Sequence, residues 1–456
     1  MLLNDASLGS VEIATSASSF LAAIRNDVMN WRNICFPHHV KLPIRILSFA
    51  FNVLLLAGFC ESLQAQSKAL KDAEQLADDR QYAEAVRLLE LAMIEGDTTE
   101  VLMLTLADYY KKTGNLRMAT ALCKPLVDKD RPRPWHLLEV ATMLVDQGRI
   151  TDAEPYLLRF EELKPEDDRA ERLRERGRKR RGLSRLYPGA RLDTFIHNTL
   201  ADDGFPFRRD SQLYWSSDRE GSKKMSGWTG RAMVGLYESS YQPEHGFGPP
   251  LRVDAKFNKG IVNTASPWVS RSGDTLLFTA NAEDINRKGE RNMQLFYTIQ
   301  KGGEWKSAER IPTQQDQPNC LHPTLSADGK WLYYASDAAD SQGGLDLYRM
   351  AVKSDGTWGS PDNLGSTVNT ERHDGFPVAA KDGKLYFASQ GHIGLGGFDI
   401  FYTEELSNGK WSTPINLGEP VNSEFDETGW FMVNRNFAYL TSNRVGEDDD
   451  IYEVRW

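Results

Sequence analysis

The sequence predicts an α+β chain of two parts: an N-terminal arm of helical repeats, then a five-bladed β-propeller closed by an outer strand drawn from its own N-terminal end. Three observations predict it. A strand–turn–strand unit recurs along the C-terminal part of the chain. An aromatic residue and an Asn or Asp recur 11 positions apart in five places, offset by one unit from the strands they complete. Ahead of both, alanines recur with a spacing of 34.

The clearest unit is Lys381–Asn422. Asp382-Gly383 supplies the positive φ of a tight hairpin turn. Leu385–Ser389 alternates as a half-buried strand does. Gly396-Gly397 breaks the chain before a second strand, Phe398–Tyr402. Asn408-Gly409 turns it again, and Trp411 opens a last strand. Ser326–Asn369 repeats this order with Asp328-Gly329, Trp331–Ser336, Gly343, Gly344, Asp346 and Trp358. Weaker copies are Ser272–Asp316, Asp210–Asn258 and Asn434–Trp456.

The 11-residue pairs are Trp411 with Asn422, Trp358 with Asn369, Trp305 with Asp316, Phe247 with Asn258, and Tyr187 with Asn198. The last copy has no such pair, whereas one stands before the first copy. Five inner sets and five outer strands, shifted by one, predict a ring in which Tyr187–Asn198 pairs beside Ile451–Arg455. Closure removes the exposed edges of an open array. Asp346, Asp399 and Asp450 each precede a Leu/Ile–aromatic pair and are expected to be buried carboxylates accepting backbone N–H bonds, because an unpaired buried acid is costly. Trp305, Trp358 and Trp411 occupy one repeat position and are expected to pack between blades.

The pattern x-D-G-x-x-L-Y-F-x-S … G-G-x-D-I/L-Y … G-x-W-x-x-P-x-N-L-G resembles the WD40-like repeats of TolB-type propellers. The likeness spans residues 187–456. It implies the fold and says little about chemistry.

In the arm, Ala85, Ala119 and Ala153 are 34 apart, and Ala73, Ala107 and Ala141 each stand 12 positions earlier. Gly114 and Gly148 keep the same register, and Pro165 closes the third copy. This layout resembles tetratricopeptide repeats over 66–168, three being about the minimum for a stable stack. The resemblance implies a concave groove for a peptide or a partner's helix. Tyr82, Tyr109, Tyr110 and Trp135 are its candidates, with a core role as the other reading. Between arm and ring, 169–186 reads as a basic linker. Arg169–Arg185 holds nine basic residues against two acids, and Arg178, Lys179, Arg180 and Arg181 are the candidate contacts for an acidic partner or an anionic wall polymer.

At the N-terminus, Lys41 and Arg45 precede an apolar run of 14 residues, Ile46–Phe59, and Leu63-Gln64-Ala65 offers cleavage between Ala65 and Gln66. Residues 1–65 therefore read as a secretory signal with a patternless start, Met29 being an alternative initiator. A retained anchor and a lipoprotein cysteine at Cys60 are the other readings. The chain is acidic, net −10 over 456 residues, which argues against nucleic acid as a partner. Four cysteines show no metal or disulfide spacing. Cys123 and Cys320, which would remain after cleavage, are expected to be free thiols.

No active site is legible. The eight histidines form no His-x-x-x-His or His-Glu-x-x-His pair, and no Gly-x-Ser-x-Gly elbow occurs. Asp448-Asp449-Asp450 offers a calcium reading beside that of a solvated loop. The expectation is a chain that is not an enzyme and uses no cofactor or metal. The order signal, helical arm, propeller is similar to the PorE-type periplasmic proteins of type IX secretion, without their OmpA-like C-terminal domain. That resemblance implies a scaffold in the periplasm or at the outer membrane. It would hold other envelope proteins on the propeller face and in the helical groove, with peptidoglycan and an outer-membrane protein as candidate partners. The alternatives are a propeller-based enzyme or glycan- or peptide-binding protein acting on exported substrates, and a TolB-like accessory.

Overall fold

The protein is described from a computed structural model covering residues 68–456 apart from 80, 181–182, 184, 220–224, 227–228, 254–256, 258–260, 283–291, 315–317 and 446–447. The signal segment, with Ala65 and Gln66, lies outside the described residues. So do Arg181 and the side chains of Arg178, Lys179 and Arg180.

Helices fill the first part: α1 over 68–78, α2 (Tyr82–Ile94), α3 (Glu100–Lys112), α4 (Leu116–Val127), α5 (Pro134–Asp146), α6 (Ile150–Leu163) and α7 (Arg169–Arg180). Local chemistry sets their ends. Thr99 and Asn115 accept the free N–H groups of Leu102 and Met118 at the starts of α3 and α4. Pro134 opens α5, where no N–H is needed. Gly114 and Gly148, at φ +88° and +73°, end α3 and α5 in the left-handed conformation. All six alanines of the 34-residue set are buried, none more than 2% exposed. They sit in a core shared with Leu89, Leu106, Leu144 and Phe160. Tyr109 and Tyr110 belong to that core, Tyr82 meets Tyr109 edge-on at 5.7 Å, and Trp135 is exposed. No described helix is long and apolar enough to cross a membrane.

Arg169–Arg180 is a helix running through Gly177. Ala170 is fully buried in the helical core, and Leu173 packs against it. Arg174 reaches Glu154 at 2.8 Å and also Glu161, both on α6.

β1 (Arg191–Thr194) precedes four complete sheets. Blade 1 contains β2 (Asp203–Arg209), β3 (Gln212–Ser217), β4 (Gly235–Gln242), β5 (Gly246–Phe247) and β6 (Leu251–Arg252). Blade 2 contains β7 (Ile261–Val269), β8 (Thr275–Ala282), β9 (Met293–Lys301), β10 (Glu304–Trp305) and β11 (Glu309–Arg310). Blade 3 contains β12 (Cys320–Leu325), β13 (Trp331–Ser336), β14 (Asp346–Ala351) and β15 (Asp362–Asn363). Blade 4 contains β16 (Asp374–Ala379), β17 (Lys384–Ser389), β18 (Asp399–Glu404) and β19 (Ile415–Asn416). Blade 5 contains β20 (Phe431–Asn434), β21 (Phe437–Ser442) and β22 (Asp450–Arg455), completed by β1. β1 lies antiparallel to β22, with Arg191 opposite Arg455 and Thr194 opposite Tyr452. The chain is a five-bladed propeller closed by an outer strand from its N-terminal side.

Three asparagines of the 11-residue pairs bond to the third strand of a blade, Asn258 and Asp316 lying outside the described residues. Asn198 accepts from the Ile451 N–H at 3.1 Å and donates to its carbonyl at 2.8 Å. Asn369 clasps Leu347 in the same two-way manner, and Asn422 clasps Ile400. Each side-chain amide extends the ladder where the outer strand has turned away. Cys123 and Cys320 are buried free thiols, each pushed up to about 11 by desolvation.

Candidate functional site

The repeat copies, begun at their Asp-Gly turns, leave out the innermost strand of each blade: β2, β7, β12, β16 and β20. Those strands line the channel, so a repeat framed on its turns omits the residues that face it. In blades 1 to 4 the innermost strand bulges at a non-glycine residue with positive φ: Phe205, Ser266, His322 and Phe376, at 54–59°. A proline follows each: Pro206, Pro267, Pro323 and Pro377. Proline has no N–H to lose where a bulge interrupts the ladder. This fourfold x-Pro register is the signal by which the sequence marks the channel.

Each bulge is held by the blade before it. The Phe205, Ser266 and His322 N–H groups donate to Thr441 Oγ1, Ser216 Oγ and Thr279 Oγ1 at 2.8–2.9 Å. Blade 3 carries Ala335 at the corresponding fifth position of its second strand. There the Phe376 N–H donates instead to His322 Nδ1 at 3.2 Å. These bonds stabilise a backbone conformation that would otherwise cost of order 1–3 kcal/mol.

The rings at these positions meet in the channel. Phe376 stacks on His322 at 3.9 Å and on Phe205 at 5.2 Å between ring centres. Together they form an aromatic plug. On one side of it lies a cleft bordered by Asp202, Phe398 and Thr428, on the other a small cup lined by the bulge residues and those after them, and Phe376 borders both.

The cleft, about 890 Å³, is roofed by the helical arm. Three contacts seat the arm. Arg372, just before β16, makes a two-bonded ion pair with Asp146 at the end of α5, at 2.9 and 3.2 Å. Gly148 abuts blade 4 and 5 loops so closely that a Cβ would stand 2.7 Å from Glu424 Cβ. At Gly230 a Cβ would meet Ala83 of α2 at 2.9 Å.

Acids dominate the propeller side of the cleft. Asp202, Asp426, Asp448 and Asp449 line it, with Arg231 among them. Arg231 pairs with Asp202 at 2.7 Å and with Asp448. Burial, with Asp202 and Asp426 nearby, pushes the Asp449 carboxyl up to about 8. Burial, then Asp202, also raises Asp218. Tyr110, Phe376 and Phe398 add aromatic surface, and Arg87, Arg117 and Arg149 place positive charge on the arm side. Among the described residues no group of His, Cys, Asp or Glu is arranged to hold a metal ion.

The residues singled out from the repeats lie elsewhere. Asp346 is fully buried and accepts from the Gln342 N–H and Asn363 Nδ2, both at 2.9 Å. Asp399 is buried and accepts from the Leu395 and Gly396 N–H groups at 2.8 and 3.0 Å. Asp450 differs: it is only half-buried, and burial followed by Asp203 and Asp202 raises its carboxyl. The Gly396-Gly397 pair, whose first N–H serves Asp399, has no counterpart in the sequence ahead of Asp450. Trp305, Trp358 and Trp411 lie at the outer strands. Each packs on a cluster that spans its own blade and the preceding one. None of these six residues lines the cleft or the cup. His373 and His392 act within loops, His373 Nδ1 accepting from the Leu345 N–H and His392 Nε2 meeting the Val368 carbonyl.

No family model and no curated protein matches the chain. Comparison with solved structures finds an α-L-arabinofuranosidase from Lactobacillus brevis, 12% identical, with TM-score 0.37 over 57% of this chain and 92% of that one. It also finds an endo-arabinase from Bacteroides thetaiotaomicron, 14% identical, with TM-score 0.36 over 58% and 96%. An exo-β-1,3-galactanase from Clostridium thermocellum is 15% identical, with TM-score 0.38 over 58% and 61%. These proteins correct the expectation that the chain is not an enzyme: the solved propellers it matches include glycoside hydrolases, and the non-enzyme reading is withdrawn. The likeness is too distant to carry a catalytic residue or a substrate across.

Proposed function

We propose that the cleft beneath the helical arm is the working site of a propeller-based protein that binds and cleaves a glycan. One observation carries this reading: two kinds of carboxyl share one roofed cleft. Asp449 keeps its proton at neutral pH, while Asp202 beside it is tied to Arg231 at 2.7 Å. A carboxylic acid of raised pKa can give its proton to a leaving oxygen, and an ion-paired carboxylate can orient and activate water. The cleft volume of about 890 Å³ suits a short oligosaccharide, and Tyr110 and Phe398 offer faces for sugar rings.

The test is a panel of neutral and N-acetylated oligosaccharides and muropeptides, scored for binding and for new reducing ends. Asp449→Asn is expected to lower turnover by about 10²–10⁴-fold and leave binding in place. Turnover by the wild type should fall as pH rises past about 8, as Asp449 loses its proton. Binding of no member of the panel, or full activity in Asp449→Asn, overturns the reading.

The same proposal extends to the surroundings. The 34-residue period and the buried alanines support a tetratricopeptide-type arm, able to hold an envelope partner. The basic, apolar and cleavable order over Lys41–Gln66 supports export, with the periplasm as the compartment and type IX secretion as the associated machinery. Cleavage at Ala65–Gln66 would be read by N-terminal sequencing of protein secreted from its host.

A further inference from the structure

The cup on the far side of the plug holds polar groups that the fold leaves unused. It is a half-open cavity of about 50 Å³, walled by the four bulge prolines and rimmed by Phe207, Trp268 and Phe431. Ser266 and His322, from adjacent blades, line its floor. Ser266 is only 9% exposed, and its Oγ has no hydrogen-bond partner among the described residues. A buried hydroxyl left so is costly unless something answers it.

The His322 tautomer follows from the bulge chemistry. Because Nδ1 accepts the Phe376 N–H, the ring proton must sit on Nε2, which is then a donor. Burial lowers this histidine to about 3, so the ring stays neutral through the physiological range. The cup thus offers apolar walls, an uncharged N–H and a hydroxyl. Its size admits more than one water, which needs about 10–15 Å³, and less than benzene, which fits a cavity of about 150 Å³. A methyl beside a carbonyl oxygen meets that description, and the aromatic rim offers faces to a flat apolar ring beyond it.

We infer that the cup is a second binding site, separate from the cleft, which takes the acetamido group of an N-acetylated sugar. The carbonyl oxygen accepts from His322 Nε2 and Ser266 Oγ, the methyl fills the apolar volume, and the sugar ring rests on Trp268 and Phe207. The inference is independent of any chemistry in the cleft.

Saturation-transfer NMR on the full chain tests it with N-acetylglucosamine, glucosamine, glucose and N-acetyl-alaninamide. N-acetylglucosamine is expected to bind in the millimolar range with its methyl the most strongly saturated group, while glucosamine and glucose show none of that signal. Ser266→Ala should weaken binding about tenfold. His322→Ala combined with Ala335→Thr should do the same, since the hydroxyl introduced by the second change would give the Phe376 N–H the kind of partner used in blades 5, 1 and 2. A sugar-ring epitope without the methyl, equal binding of glucose, full binding in Ser266→Ala, or N-acetyl-alaninamide binding as well as the sugar would each overturn the assignment.

Discussion

At the residue scale the fold leans on side chains that imitate backbone. Asn369 and Asn422 each return two bonds to one residue of a third strand, and both are almost wholly buried. Asn422→Ala would leave the Ile400 N–H unanswered in the interior and its carbonyl with the Leu417 N–H alone. A loss of about 2–3 kcal/mol is expected from two such bonds, read from the midpoint of urea unfolding. Asn422→Asp should cost less than alanine, since one acceptor survives. The sequence displays the spacing of these residues and hides their role, because a repeated interval does not say which backbone atom the amide will meet.

A buried histidine and a half-buried aspartate give stability a pH dependence with opposite slopes. His322 is depressed to about 3 from an ordinary value near 6.5, so below pH 6.5 the unfolded chain binds the proton that the folded one refuses. Its contribution is full above 6.5 and is lost as pH falls towards 3. Asp449 is raised to about 8 from 3.8. Above 3.8 the unfolded chain releases a proton that the folded one retains, so stability declines as pH rises from 3.8 to 8. Asp449→Asn should therefore be more stable than wild type at about pH 8, and the difference should shrink at about pH 4. Thermal melts at the two pH values check the sign.

At the element scale the sequence is informative where local chemistry rules. The Asp-Gly and Asn-Gly turns are present, with Gly329, Gly383 and Gly409 at φ 71–87°. The strands β13, β14, β17 and β18 fall within a residue or two of their expected places. The innermost strands escape the repeat pattern because their signal is a positive-φ residue before proline, which looks like a loop in one dimension. The docking of the arm is invisible for another reason: nothing in the neighbourhood of Asp146 or of Arg372 announces the other. Arg372→Ala should loosen this contact. The arginine is 38% exposed, so water screens part of the pair and about 1–2 kcal/mol is expected. Hydrogen exchange should quicken in α5 and α6 and stay unchanged in blades 2 and 3. Equal protection of those helices in the variant would mean that the arm is held by shape alone.

On the scale of the whole molecule, the count of five blades comes from an offset and not from any single motif. Five aromatic–Asn/Asp pairs against five inner sets, displaced by one, leave a ring as the arrangement that satisfies both ends. Removing 187–198 should leave β22 with an open edge, a template for pairing between chains. The expected outcome is oligomers on size exclusion and loss of a single cooperative unfolding transition.

The clasp of Asn198 on Ile451 joins residues 253 positions apart. Bringing such distant points together costs about 5 kcal/mol of chain entropy, from the logarithm of the loop length. Very little of the ring can therefore seal early. Four blades can form as the chain emerges, while β1 waits unpaired until β22 exists. In that interval the molecule is an open crescent with two sticky ends, and crowding by its own copies would favour trading strands between neighbours over shutting. Slow, dilute refolding should yield single rings, and concentrated refolding should yield interlocked pairs.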